Sequence, residues 1–289
     1  MKMRKFLFAV ILVLLSAGIC PAKPADGAEL RVMSFNIRMD TADDGGNRWD
    51  NRKEFACRMI TYHAPDLIGT QEVLHNQLLD MLERLPGYGY VGVGRIDGET
   101  KGEYAAIFYR KERFELLDSG NFWLSEDPSA VGVKGWDAAC ERIATWARFR
   151  DRDTGREVFM LNTHFDHVGQ VARRESAQLI KRRIAELAGG APMIVTGDLN
   201  APPGSEVVRA MLSHSGDPAL RDARKMAPYV YGPGYTFHNY GRLPVAQRPW
   251  IDYIFTSGFS GVSQFIVITD SNAELYTSDH HPVMAVLDI

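Results

Sequence analysis

Six short polar segments, each placed where an apolar run stops or starts, constrain this chain more than anything else in it. The clearest is Pro192–Asn200, in which the apolar stretch Pro192–Thr196 ends on Gly197 and delivers Asp198 and Asn200 two positions apart. Side chains on an extended segment repeat every second residue, so the carboxylate and the amide leave the strand end in the same direction. Alone, such an end is equally a turn, because Asp and Asn favour turns for local backbone reasons. The pattern recurs, however. Asn36 ends Glu29–Ile37, Glu72 ends Asp66–Glu72, and His164 and Asp166 follow Leu161–Thr163; Asp252 opens Ile251–Phe255, and Ser278–Pro282 precedes the final apolar run. Beside one strand, an acid or imidazole is normally a cap or turn residue. Six together read as a single site.

The sequence between these segments alternates between two periodicities. Strands are expected at Glu29–Ile37, Asp66–Glu72, Tyr88–Val93, Tyr104–Tyr109, Phe114–Phe122, Ile143–Arg150, Glu157–Asn162, Trp250–Thr256, Gly261–Ile268 and Pro282–Ile289. Helices are expected at Trp49–His63, Val73–Leu85, Val171–Leu187 and Ser205–Leu212, the third stopping at Gly189-Gly190. No repeat or flexible linker divides the chain, and 289 residues with 45% hydrophobic content supply an ample core. This order predicts one α/β domain of sheets packed on each other and covered by helices. Two long Gly- and Pro-bearing loops, Leu124–Cys140 and Met226–Pro249, are expected to serve function.

The N-terminus reads as a secretory signal: basic Met1–Lys5, an apolar block Phe6–Leu15, then small residues and prolines. Cleavage is expected after Ala22, or as late as Ala28, leaving one domain over 29–289 in the periplasm or outside the cell. Lipid anchoring at Cys20 ranks behind this, because Ile19 is a poor fit to the small residue such processing requires. Removing residues 1–22 takes away Lys2, Arg4 and Lys5 and moves the net charge from −3 to about −6. An acidic exported protein is not an obvious long-range trap for nucleic acid. Cys57 and Cys140 are expected to be buried thiols rather than a metal site.

Taken in order, Ser34–Ile37, Gln71–Val73, Asn162–His164, Gly197–Asn200, Ile251–Ile254 and Ser278–Pro282 resemble the motifs of the endonuclease/exonuclease/phosphatase superfamily, which includes the pancreatic-type deoxyribonucleases. The resemblance covers nearly the whole mature chain. It implies a four-layered α/β sandwich, two packed mixed sheets flanked by helices, and metal-dependent hydrolysis of a phosphate ester without a covalent enzyme intermediate. Phosphate esters repel an attacking water, so a hard cation with oxygen ligands is required, and Mg²⁺ takes one or two carboxylates plus water. The resemblance makes Glu72 the first ligand of Mg²⁺ (or Mn²⁺). Asn36 supports it or contacts phosphate, and Asp279 lies near the metal.

By the same resemblance Asp198 positions or deprotonates the water, while Asn200 donates to a phosphate oxygen. His280 is expected to pair with Asp252, and His164 to be held by Glu103. Arg142, at a strand entrance, is a candidate for the scissile phosphate. His281 follows His280, points elsewhere and is read as structural; His63, His75, His167, His214 and His238 have no motif partner. Trp123, Trp136, Tyr229, Tyr231, Tyr235 and Tyr240 are candidates to stack on a sugar or base, against a plainer reading as loop packing.

The expected activity is therefore an exported phosphodiesterase or phosphatase, acting as a monomer on a sugar, nucleotide, lipid or nucleic-acid phosphate with no obligatory protein partner. The alternatives are a nonspecific secreted nuclease and a catalytically silent binding protein of the same fold. A binding module has no need of both His–acid pairs. A glycosidase, built on paired carboxylates, leaves the Asn and His positions without a purpose.

Overall fold

The computed structural model describes residues 29–213, 219–272 and 275–289. The expected signal segment, Cys20 and His214 lie outside the described residues.

Two mixed sheets form the centre. One has seven strands in the order Val230–Tyr231, Gly261–Val267, Val283–Asp288, Glu29–Asn36, Leu67–Gln71, Ile107–Arg110 and Tyr88–Val91. The other has six, in the order Phe114–Trp123, Ile143–Asp151, Glu157–His164, Met193–Asp198, Asp252–Ser257 and Arg221–Asp222. Strand residues of period two divide between the two faces of a sheet. Thus Leu30 and Val32 join Met160, Ile194 and Ile254 in the core between the sheets, while Met33 and Phe35 point outward against the helices Trp49–His63 and His75–Arg84, into Met59, Ile60 and Met81. The helices Gln170–Leu187 and Glu206–Leu212 cover the outer face of the six-stranded sheet through Ile180, Ile184 and Val208. The expected sandwich of helix, sheet, sheet and helix is therefore the observed one.

The sheets approach most closely near the site. A Cβ on Gly69 would collide with the side chains of Thr196 and Asn162 from the opposite sheet. The gap is filled by polar groups instead of apolar ones: Gln71 Nε2 donates to Asn162 Oδ1 at 2.7 Å, and Asn162 Nδ2 donates to the Thr70 carbonyl at 2.8 Å. All of these residues are buried, so each bond satisfies groups that would otherwise be costly to enclose.

Boundaries shift where tertiary pairing overrides local pattern. The strand expected from Tyr104 begins at Ile107, since Tyr104 forms an isolated bridge with Val73. That bridge also delays the following helix, which starts at His75 instead of Val73. The Met226–Pro249 loop contributes an edge strand, Val230–Tyr231. Cys57 and Cys140 are both free thiols; Cys57 is buried as expected, but Cys140 is half-buried.

Candidate active site

Strand pairing brings the polar ends together. His164 lies opposite Asp198 across parallel strands, and Asp198 lies opposite Asp252 across antiparallel ones, so three site residues share one row of the six-stranded sheet. Asn36 and Gln71 end neighbouring parallel strands of the other sheet. Arg38, Glu72 and Asn200, one or two residues beyond these ends, adopt left-handed backbone (φ 58°, 61° and 46°). Non-glycine residues pay for that conformation, and such strain clusters at functional sites. Here it turns the chain sharply and leaves all three facing one pocket of about 710 Å³.

Of the sequence-predicted residues, Glu72, Glu103, Arg142, His164, Asp198, Asn200, Asp279 and His280 line this pocket. Asn36 and Asp252 stand behind it, 0% and 1% exposed. Asp252 Oδ2 lies 2.9 Å from His280 Nδ1, the expected pair. Burial opposes the charged ring, but the charge and hydrogen bond of Asp252, helped by Asp198, outweigh it and raise His280 to about 10. Asp198 has its Oδ2 3.7 Å from His280 Nε2 and 3.5 Å from His164 Nε2. Burial, with Asp252 nearby, pushes Asp198 up to about 7.

One expectation needs correction, and the geometry details two others. Glu103 does not hold His164; it forms a two-pronged pair with Arg95, at 2.8 and 2.7 Å. A planar guanidinium matches a carboxylate better than one imidazole nitrogen can. His164 instead meets Asn200 Nδ2 at 3.1 Å through Nε2, while its buried Nδ1 has no hydrogen-bond partner among the described residues. Burial, then the charges of Arg142 and Arg95, hold His164 well below its ordinary value and therefore neutral. Asn200 lines the pocket with its Nδ2 3.1 Å from His164 Nε2 and donating to the Phe165 carbonyl. Asn36 takes the orienting role, one of those expected for it. Its Nδ2 donates to Glu72 Oε1 at 2.9 Å and Asp198 Oδ2 at 3.1 Å, and its Oδ1 accepts from the Arg38 backbone.

The donor chemistry fits a hard divalent cation at Glu72 and Asp279. Both carboxylates face the pocket, and Asp279 is pushed up by burial and by the neighbouring charge of Glu72. Arg38 lies between them but too far for a hydrogen bond, 3.7 Å from Glu72 and 3.9 Å from Asp279, because Asp44 holds it. Two oxygen-donor acids in one pocket, with Arg38 held off by Asp44, suit Mg²⁺ or Mn²⁺. Two other clusters place three potential ligand atoms within 4.8 Å of one another. In Asp198–Asp252–His280 the imidazole is already cationic. In Cys140–Asp166–His167, Asp166 accepts from the backbone of Ala139, Cys140, Val168 and Gly169 and faces Arg142.

Sequence reasoning missed Arg38, Arg95, His167 and Phe237, all of which line the pocket. None sits in a strand-end motif; only the long-loop signal pointed towards Phe237. The proposed stacking aromatics stay out of the pocket lining. Trp123 is buried and donates to the Arg95 carbonyl, Tyr235 accepts from Arg248, and Tyr229 and Tyr231 are exposed. His281 stacks on His238 at 4.0 Å, in keeping with a structural role.

The Endonuclease/Exonuclease/phosphatase family model matches residues 33–280, from the first site strand to His280 itself. The chain belongs to this family. It is 45% identical to an endonuclease/exonuclease/phosphatase of Bacteroides vulgatus, with TM-score 0.87 over 91% of this chain and 99% of that one. A Bacteroides thetaiotaomicron mannosyl-6-phosphatase is 40% identical, with TM-score 0.84 over 89% of this chain and 99% of that one. Drosophila melanogaster nocturnin is 27% identical over 67% of this chain, which spans 32% of nocturnin's length. Members of the endonuclease/exonuclease/phosphatase family are hydrolases, and the acid–histidine row of this chain is equipped for such chemistry.

Proposed function

We propose that this chain is an exported, divalent-metal-dependent phosphoesterase that hydrolyses a small phosphate ester by direct attack of water. The observation that carries the reading is the juxtaposition, in one pocket, of the Asp252–His280–Asp198 row with the Glu72–Asp279 pair. A general base and a cationic donor thus stand beside a place for a cation. A bound divalent cation would neutralise charge on the phosphoryl oxygens.

Asp198 accepts the proton of the attacking water, and its carboxylate is oriented for this by Asn36 and by the Asn200 backbone N–H at 2.9 Å. The new P–O bond forms as the ester P–O bond breaks. His280, kept charged by Asp252, faces the negative charge that builds on the phosphoryl group. Asn200 and neutral His164 hold the floor of the site. Phe237, Pro249 and Ile251 exclude water along one wall. A substrate of sugar-phosphate size is supported by the pocket of about 710 Å³ and by the similarity to the mannosyl-6-phosphatase. Export rests on the N-terminal sequence and is tested by the N-terminal residue of protein recovered outside the cytoplasm.

The purified protein is to be assayed on p-nitrophenyl phosphate and bis(p-nitrophenyl) phosphate with Mg²⁺ and with EDTA. Hydrolysis that requires the metal and is lost in Asp198→Ala is the expected result. Hydrolysis unaffected by either change would sink the reading.

A further inference from the structure

Glu103 makes no hydrogen bond to the acid–histidine row, yet it lines the main pocket and, beside Glu72 and His164, a smaller recess adjoining it. Among the described residues only Arg95 donates to its carboxylate, with one prong on each oxygen. The loop between the two residues is closed on itself. Arg95 N donates to the Glu103 carbonyl at 3.1 Å and Ile96 N to the Lys101 carbonyl at 3.0 Å, while Asp97 Oδ1 accepts from the Glu99 and Lys101 amides. Trp123 Nε1 fixes the Arg95 carbonyl at 2.7 Å. Each side chain of the pair is 13% exposed. Enclosing an ion pair to that extent sets lost hydration against attraction, so stability does not account for it.

The chemistry of the pair says what it receives. An ionised carboxylate offers about four lone-pair positions, and Arg95 fills two of them, one on each oxygen. Each Glu103 oxygen therefore keeps an acceptor position at the pocket wall. Neighbouring hydroxyls supply two donors side by side, matching the two carboxylate oxygens as the guanidinium prongs do. A second phosphate at this place would meet a negative charge, and an alkyl chain would leave the acceptors unanswered. The Asp252 side supplies the complementary surface: Phe237, its ring centroid 4.9 Å from that of His280, lines the pocket with Pro249 and Ile251. A pyranose has the same division, with C–H groups on its faces and hydroxyls around its edge. We propose that Glu103, held in place by Arg95, receives neighbouring hydroxyls of the leaving group and so selects sugar phosphates over polyanionic and alkyl phosphate esters. Arg95 is a positioning residue in this reading. The selectivity rests on the phosphoesterase activity proposed above, in which water adds to phosphorus and the sugar leaves as its alcohol.

The test compares kcat/KM for phosphate release from mannose 6-phosphate and from n-hexyl phosphate, which lacks the hydroxyls, in saturating Mg²⁺ for the wild type, Glu103→Gln and Arg95→Lys. The wild type is expected to prefer the hexose phosphate by about 10-fold or more, the worth of one hydrogen bond to a charged group. Glu103→Gln should lose about 10-fold on mannose 6-phosphate, chiefly through KM, and less than about 3-fold on n-hexyl phosphate. Arg95→Lys, which keeps the charge but not the planar fork, should fall between. Calorimetry in EDTA, where nothing turns over, should show the same preference for mannose 6-phosphate and the same loss of it in Glu103→Gln. Equal losses on both esters, or a wild type that does not prefer the hexose phosphate, would overturn the proposal. So would a higher wild-type kcat/KM on adenosine 5′-monophosphate than on mannose 6-phosphate, which would give the hydroxyl site to a nucleoside. If Glu103→Gln does not fold, as judged by its melting curve, Arg95→Lys and the wild-type preference decide. A wild type inactive on all three esters would instead overturn the phosphoesterase reading, and the calorimetric preference would still decide the hydroxyl site.

Discussion

On the Asp252 side of the pocket the protein supplies its own partners: Asp252 meets His280, His280 approaches Asp198, and Asn36 ties Asp198 to Glu72. Across the pocket, Arg95 Nε and Arg142 Nε and Nη1 are buried without hydrogen-bond partners among the described residues. Asp252 Oδ1 and His164 Nδ1 are the exceptions on the first side. The first side is assembled before substrate arrives, as a site must be if its dipoles are not to reorganise during reaction. The second leaves buried guanidinium nitrogens without partners among the described residues. The two walls differ in how far their polar groups are partnered, and substitutions on each should fail differently.

The largest effect is expected on the assembled side. Asp198→Ala removes the base, and kcat should fall on the order of 10³-fold with little change in KM. Steady-state kinetics on the monoester substrate measures this. A rise in KM alone would move Asp198 from chemistry to binding and erase the contrast between the walls.

Next comes the pH profile. Asp198 must be ionised to take a proton, and it is raised to about 7, so kcat/KM should climb as pH rises through that value. His280 must stay protonated, so activity should decline as pH passes about 10. Asp252→Asn removes a negative charge that raises both groups, so both limbs should shift to lower pH. Stability follows the same signs. His280 contributes stability that is full below its ordinary 6.5 and lost as pH rises through about 10. Asp198, raised from 3.8, costs the fold stability as it ionises towards about 7. Melting curves against pH should therefore decline more steeply in the wild type than in Asp252→Asn.

Why the assembled side was legible in the sequence, and the open side only partly, has a physical cause. Asn36, Glu72, His164, Asp198 and Asp252 each sit at the end of an apolar extended run, so period-two patterning locates them and strand register brings them together. The sandwich was legible for the same reason. Arg38 and Arg95 lie in irregular backbone, where no periodicity predicts direction. The Arg95–Glu103 pair depends on a loop folding back so that Arg95 N donates to the Glu103 carbonyl. His167 becomes part of a wall only because Asp166 closes a turn through the Val168 and Gly169 amides. The amide commitments of Asn36 and Asn200 are tertiary too. Residue type and spacing revealed their presence, while their partners determined which way each amide faces.

A smaller effect is expected at Asn36, where orienting and ligand roles separate. Asn36→Ala should weaken Mn²⁺ binding, read by calorimetry, about 10-fold, the usual cost of losing a group that orients a ligand. Glu72→Gln should weaken it further. Equal losses would make Asn36 a ligand after all.

The smallest effect is expected at Glu103. Were it the partner of His164, Glu103→Gln would be expected to damage catalysis as severely as Asp252→Asn. In the structure Glu103 instead neutralises Arg95, and burial raises its pKa against the opposing charge of that arginine. Glutamine keeps the shape and one acceptor oxygen but loses the ion pair, leaving Arg95 cationic and underbonded beside Arg142. Added positive charge on that wall favours anion binding, so KM for p-nitrophenyl phosphate should hold or fall, while kcat changes less than about 10-fold. A loss of kcat near 100-fold with unchanged KM would mean that Glu103 reaches His164 during turnover. The wall that looks incomplete would then be a second catalytic pair drawn apart.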